Sequence, residues 1–181
     1  MKKYLFLFFF GSILLSACSN SGRDKDIQTI GALEKKMFGD SLQSPKPGVV
    51  DSLLTEYAAY AQSYPKDSLA PVFLFKAGEL SLSTNQGRKA LGYFDQVCRL
   101  FPECEKASYA LFMKGFICDG PLQDTAKARV FYTQFIQKYP QHPLSADALF
   151  SIRNLGKTDE ELIREFEAKL DSAGQKVQFK N

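Results

Sequence analysis

The residues of this chain with the widest chemical reach are four cysteines, one histidine and a short acidic run, and their spacing argues against catalysis. His142 stands just before Pro143 at the start of an apolar helical pattern, where an imidazole caps a helix or faces solvent, and it has no second histidine to work with. No glycine-rich phosphate loop, GxSxG elbow or carboxylate cluster at metal-ligand spacing occurs. Asp159-Glu160-Glu161 reads as favourable negative charge at a helix start rather than as a metal site. The expectation is a chain that is not an enzyme, with no catalytic residues, no metal, no cofactor and no small-molecule substrate. Cys98, Cys104 and Cys118 form no CxxC pair and are odd in number once Cys18 is set aside. They read as buried or half-buried thiols acting as small apolar residues, with a Cys98–Cys104 bridge across a turn as the alternative.

Cys18 differs from the other three. It ends the stretch MKKYLFLFFFGSILLSAC, in which two lysines, an unbroken apolar run and then small residues give the layout of a secretory signal. The run from Tyr4 to Leu15 is too short to span a bilayer. Leu15-Ser16-Ala17-Cys18 resembles a bacterial lipobox, and the resemblance implies a signal peptide of residues 1–17, cleavage before Cys18 and a diacylglycerol on its sulfur. Several acyl chains, each contributing about 0.8 kcal/mol per buried methylene, make such an attachment stable. Residues 18–26 then read as a polar tether. Ser19 is not the aspartate that retains some lipoproteins in the inner membrane, and the tether has no dense acidic run, so the expected location is an outer-membrane anchor facing the periplasm. Loss of Lys2 and Lys3 takes the formal charge from +3 to +1, which leaves no electrostatic footprint for nucleic acid or for anionic lipid.

The elements that would position a binding site emerge from a repeat. With 45% hydrophobic and 24% charged residues the chain can bury one core and is expected to form a single domain over residues 27–173, with a flexible tail at 174–181. Tyr64-Pro65, Phe101-Pro102 and Tyr139-Pro140 are separated by 37 and 38 residues. Forward from each proline come Ala70, Ala107 and Ser145, then Leu74, Leu111 and Leu149, then Phe75, Phe112 and Phe150; Gly78 and Gly115 match, with Arg153 as the exception. Backward come Leu53, Ala90 and Ala128, then Tyr57, Phe94 and Tyr132, then Tyr60, Val97 and Phe135. Agreement at so many offsets marks a structural repeat. Each unit reads as two helices: an inner one apolar almost all round, as in APVFLFKAGELSL, and an outer one with a single apolar stripe, as in GRKALGYFDQVCRLF. Proline, which lacks an amide hydrogen, stops the outer helix. IQTIGALEKKMF reads as a degenerate first inner helix followed by a loop, GDSLQSPKPG; Thr158 to Glu161 reads as a capping box opening a last helix with Leu162, Phe166 and Leu170 on one face.

A period in the thirties, with Gly78, Ala90 and Pro102 and then Gly115, Ala128 and Pro140 at the helix-packing positions, resembles the tetratricopeptide repeat (TPR). The resemblance implies an all-α, TPR-type helical-hairpin solenoid of about three to four repeats with a C-terminal capping helix. The wording YPQHPLSADALF and FPECEKASYALFMKGF is similar to repeat lipoproteins and periplasmic proteins of the bacterial envelope, among them those of outer-membrane β-barrel assembly and of coordinated cell-wall synthesis. The function this implies is a periplasmic interaction scaffold in cell-envelope or outer-membrane protein assembly, tethered to the membrane by its lipid, with a structural lipoprotein lacking a groove or a coordinator of cell-wall synthesis as the alternatives. On the inner helices Val72, Phe75, Glu79 and Leu82, then Tyr109, Phe112, Phe116 and Asp119, then Asp147, Phe150 and Asn154 form stripes at helical spacing. In tetratricopeptide proteins the corresponding face holds an extended peptide or a partner helix. Here the resemblance implies an apolar protein segment as partner, with Phe75, Phe112 and Phe150 as half-buried core residues in the alternative.

Overall fold

The computed structural model of the chain describes residues 17–39 and 47–172; all but the last residue of the signal segment expected over residues 1–17, most of the expected loop (40–46) and the tail at 174–181 lie outside the described residues. Eight α-helices are described: α1 Ala17–Phe38, α2 Pro47–Ser63, α3 Leu69–Ser83, α4 Gly87–Leu100, α5 Glu105–Asp119, α6 Thr125–Lys138, α7 Ser145–Asn154 and α8 Asp159–Ser172. The all-α class expected from the repeat is the one observed. The chain divides into two compact units, Met1–Val97 and Cys98–Asn181. Repeat packing joins each helix to its neighbours in sequence and supplies no long-range closure, so such a division costs little.

Each outer helix stops one residue before an aromatic-proline pair: α2 at Ser63, α4 at Leu100 and α6 at Lys138. Pro102 and Pro140, expected as helix-packing residues, are both exposed. Their part is confined to ending the helix, and the packing is done by the preceding ring: Tyr139 is half-buried with its centroid 5.8 Å from that of Phe135. The other four small residues do sit at contacts. Ala90 and Ala128 are fully buried, and α4 buries the single stripe Gly87, Ala90, Phe94 and Val97, whereas α3 buries residues around most of its circumference.

The inner and outer helices approach closely at the repeated glycine. A Cβ built on Gly78 would lie 2.7 Å from the ring of Phe94, and one on Gly115 would lie 2.6 Å from the ring of Tyr132. Any side chain there drives the aromatic of the outer helix off the inner one. In the first unit the core continues through Ile30, Leu53, Tyr57, Tyr60, Phe73 and Leu80, with Phe73 stacked on Tyr57 at 5.4 Å and edge-on to Tyr60 at 4.8 Å.

The first helix is longer than the sequence indicates. It begins at Ala17, so residues 18–26, expected as a polar tether, are helical. Its charged residues are not idle: the Arg23 guanidinium pairs with Asp67, and the Tyr64 hydroxyl donates to Asp26 Oδ2 at 2.8 Å. A polar stretch with a partner for each of these charges on the neighbouring turn gains more as a helix than as solvated coil. At the other end of the chain, the amide of Thr158 donates to Glu161 Oε2 at 2.9 Å and the amide of Glu161 donates to Thr158 Oγ1 at 3.3 Å, which is the reciprocal capping box expected. The apolar face of α8 stays open, with Ile163 55% and Phe166 54% exposed.

The Gly115→Leu protein is expected to lose about 1 to 3 kcal/mol of stability through overpacking against Tyr132. Urea unfolding of the two proteins measures it, and coincident midpoints would contradict this helix crossing.

Candidate functional site

Which residues of the inner helices remain open follows from where the outer helix lies. Ten residues after each proline stands a phenylalanine, and in two of three repeats it is committed to the core. Phe75 is buried, edge-on to Phe94 at 5.1 Å; Phe112 is half-buried against Tyr132 and Phe135, both at 5.5 Å. Phe75 therefore drops out of the expected groove and Phe112 belongs mainly to the helix pair. Phe150, the third member, is 64% exposed.

One residue further on, a helix turns by about 100° and leaves that interface. The open positions lie seven, eleven and fourteen residues after the proline: Val72, Lys76 and Glu79 on α3, Tyr109, Met113 and Phe116 on α5, and Asp147, Ser151 and Asn154 on α7, all half-buried or exposed. Six of these were on the expected stripes. Lys76, Met113 and Ser151 were not, although a spacing of four from Val72, Tyr109 and Asp147 points to them. Leu82 and Asp119, three residues beyond, are half-buried, and burial pushes the Asp119 carboxyl up from its ordinary value.

The open stripe of each inner helix has its own character. On α3 it is ionic: Lys76 Nζ donates to Glu34 Oε1 at 2.7 Å, and the Tyr57 hydroxyl donates to the same oxygen at 2.6 Å. Together with Phe38, Glu79, Leu80 and Ser83 these groups line an open cavity of about 370 Å³ in the first unit. Burial would raise the Glu34 carboxyl, but the hydrogen bonds from Lys76 and Tyr57 outweigh it and hold the group below the usual range. Burial and the Glu34 carboxylate push the Tyr57 hydroxyl up, which keeps it protonated as donor. On α5, in the second unit, the face is apolar and aromatic, with Phe116 46% exposed. On α7 it is polar; Asn154 donates to the Phe150 carbonyl at 2.8 Å and accepts from Lys157 at 3.2 Å.

His142 has a structural place. Its Nδ1 accepts from the Leu144 amide at 3.2 Å, and its ring lies edge-on to Tyr109 at 4.8 Å and to Phe135 at 5.2 Å. Cys118 is buried, which pushes its thiol up; Cys104 is half-buried, and the sulfur of Cys98 lies 3.7 Å from the Ala107 carbonyl oxygen. Among the described residues no group of three or more His, Cys, Asp and Glu side chains is placed to hold a metal ion. No described helix is long and apolar enough to cross a membrane.

Helical hairpins whose inner helices keep one face open while the other carries an outer helix define a repeat scaffold, and a known family fits that description. The family model described as tetratricopeptide repeat matches residues 109–142, from within α5 through α6 to the turn before α7. No curated protein matched the chain. The matched span holds Tyr109, Met113 and Phe116 of the open face together with the Gly115–Tyr132 seat.

A group held below its ordinary value in the folded protein stabilises it above the usual glutamate value, about 4.3, and that contribution is lost as pH falls through the lowered value. Glu34 is such a group. The Glu34→Gln protein is therefore expected to be less stable than wild type at pH 7, with the difference shrinking on acidification. Thermal melts across that range measure it; a constant difference would assign the loss to packing alone.

Proposed function

We propose that this chain is a membrane-anchored scaffold of the bacterial envelope that holds a protein partner on the open face of its inner helices. The observation carrying the binding role is Phe116, an aromatic left 46% exposed beside Met113 and Tyr109 while its neighbours at the core positions are covered. An apolar strip of that kind, rimmed by the charged Lys106, Glu105 and Asp119, suits an apolar segment of a partner, in extended or helical form. The anchor rests on the sequence of the signal segment and Cys18. Assembly of outer-membrane proteins and coordination of cell-wall synthesis are the settings in which a lipid-anchored, periplasm-facing scaffold on the outer membrane would serve. Catalysis has no part in this reading.

A purely structural lipoprotein is the second reading, favoured by Phe75 and Phe112 lying in helix-pair contacts. Phe116→Asp separates the two. Tyr109 packs on His142, so its loss would disturb the fold, whereas Phe116 can change without opening the core. The expected outcome is an unaltered melt with loss of the partner cross-linked and identified by mass spectrometry in wild-type cells; a folded variant that retains every partner favours the structural reading.

Cys18→Ala is expected to release the protein from membranes or leave an uncleaved precursor, read by metabolic labelling with a fatty-acid probe. Equal labelling of variant and wild type would remove the anchor from the proposal.

A further inference from the structure

The anchor and the body of the first unit are joined by a helix, and that fixes which end of the unit meets the bilayer. Cys18 lies in the first turn of α1, and the same helix reaches Arg23, which is locked to Asp67, and Asp26, which accepts from Tyr64. The five residues from Cys18 to Arg23 rise only about 8 Å as helix, whereas residues 18–26 as a flexible coil would wander over roughly 15 to 18 Å and stretch to about 30 Å. Tyr64 and Asp67 lie in the turn between α2 and α3, so the N-terminal ends of α1 and α3 share one end of the unit. The C-terminal ends share the other: Phe38 lines the same cavity as Leu80 and Ser83, and Glu34 pairs with Lys76.

We infer that the Tyr64–Ser68 turn and the first turns of α1 form a membrane-apposed surface, seated on the lipid headgroups by the acyl chains of Cys18, with Ser83 and Phe38 directed away from the bilayer. This rests on the lipid anchor proposed above. The chemistry of that end suits a headgroup layer. Lys25 and Lys66 are exposed there beside Asp24, and the first turn of α1 carries no acidic residue to repel lipid phosphates. Two exposed lysines are too few to bind a membrane alone, so the acyl chains supply the attachment and the rigid helix supplies the orientation. The open stripe of this unit is placed accordingly: Lys76 lies at the middle of α3 and Glu79 toward its membrane-distal end.

Ser68 and Ser83 bracket α3 and stand about 22 Å apart along its axis. Ser68 makes no side-chain capping bond and the Ser83 hydroxyl donates only to the Leu80 carbonyl of its own last turn, so Ser68→Cys and Ser83→Cys are mild sites for a fluorescent label in the full lipidated chain, with Cys98 and Cys104 changed to serine and Cys118 buried. The labelled proteins are reconstituted into phosphatidylethanolamine–phosphatidylglycerol vesicles carrying a headgroup-linked nitroxide quencher. The expected result is loss of most of the fluorescence at position 68 and little at 83, and loss of that contrast when a long Gly-Ser linker is inserted after Asn20. Equal quenching at both positions in protein that floats with the vesicles would overturn the orientation while leaving the anchor intact. Failure of the acylated chain to float overturns the anchor and the orientation together.

Discussion

The seating of an aromatic ring on a glycine is the contact on which the rest of the structure depends. Phe94 and Tyr132 lie so close to Gly78 and Gly115 that no Cβ fits between them, and this brings outer and inner helix within ring thickness of one another. Once that contact is set, the phenylalanine three residues earlier on the inner helix, Phe75 or Phe112, must pack on the same outer helix. The residues one step further round are then left open. The open stripe of each inner helix is thus defined by exclusion, and its position is a consequence of where the glycine stands.

The last repeat illustrates the constraint by breaking it. Arg153 occupies the glycine position; it is exposed, and the close approach that glycine allows in the other two repeats is absent here. Phe150, whose counterparts are covered, is accordingly 64% exposed, and α8 keeps Ile163 and Phe166 in solvent. The helix itself is well made, with its capping box and with Lys157 bridging to Glu165 at 2.7 Å. What it lacks is a seat. A terminal helix that forms by local capping but docks weakly marks the end of the repeated packing, since stability in such arrays comes from neighbour interfaces.

The opposite end uses a different device. α1 has only a short apolar surface, chiefly Ile30 and Met37, and it is joined to the unit by ion pairs and tyrosine hydroxyls: Arg23 with Asp67, Asp26 with Tyr64, Glu34 with Tyr57 and Lys76. Arg23 holds the Asp67 carboxyl below its ordinary value, with the Leu69 amide adding to the effect. Charge pairing is directional where hydrophobic packing is not, so it fixes the register of a helix that apolar burial alone would leave free to slide.

Much of this was legible in the sequence because a repeat states its own rules several times. The three aromatic-proline pairs fixed where α2, α4 and α6 end, the single apolar stripes marked the outer helices, and Thr158 and Glu161 announced the last helix by capping chemistry that is local. Three things were settled only by tertiary structure. The polar residues 18–26 became helix because their partners, Tyr64 and Asp67, lie some forty residues away, beyond the reach of any local pattern. Phe75 and Phe112 were assigned to the helix pair, and Met113 and Lys76 to the open face, by a single step of about 100° that periodicity of three and four cannot resolve until the neighbouring helix is in place. Arg153 stood out in the sequence as a break in the glycine column, yet its cost, an aromatic left in water, depends on a ring that fails to arrive from another helix.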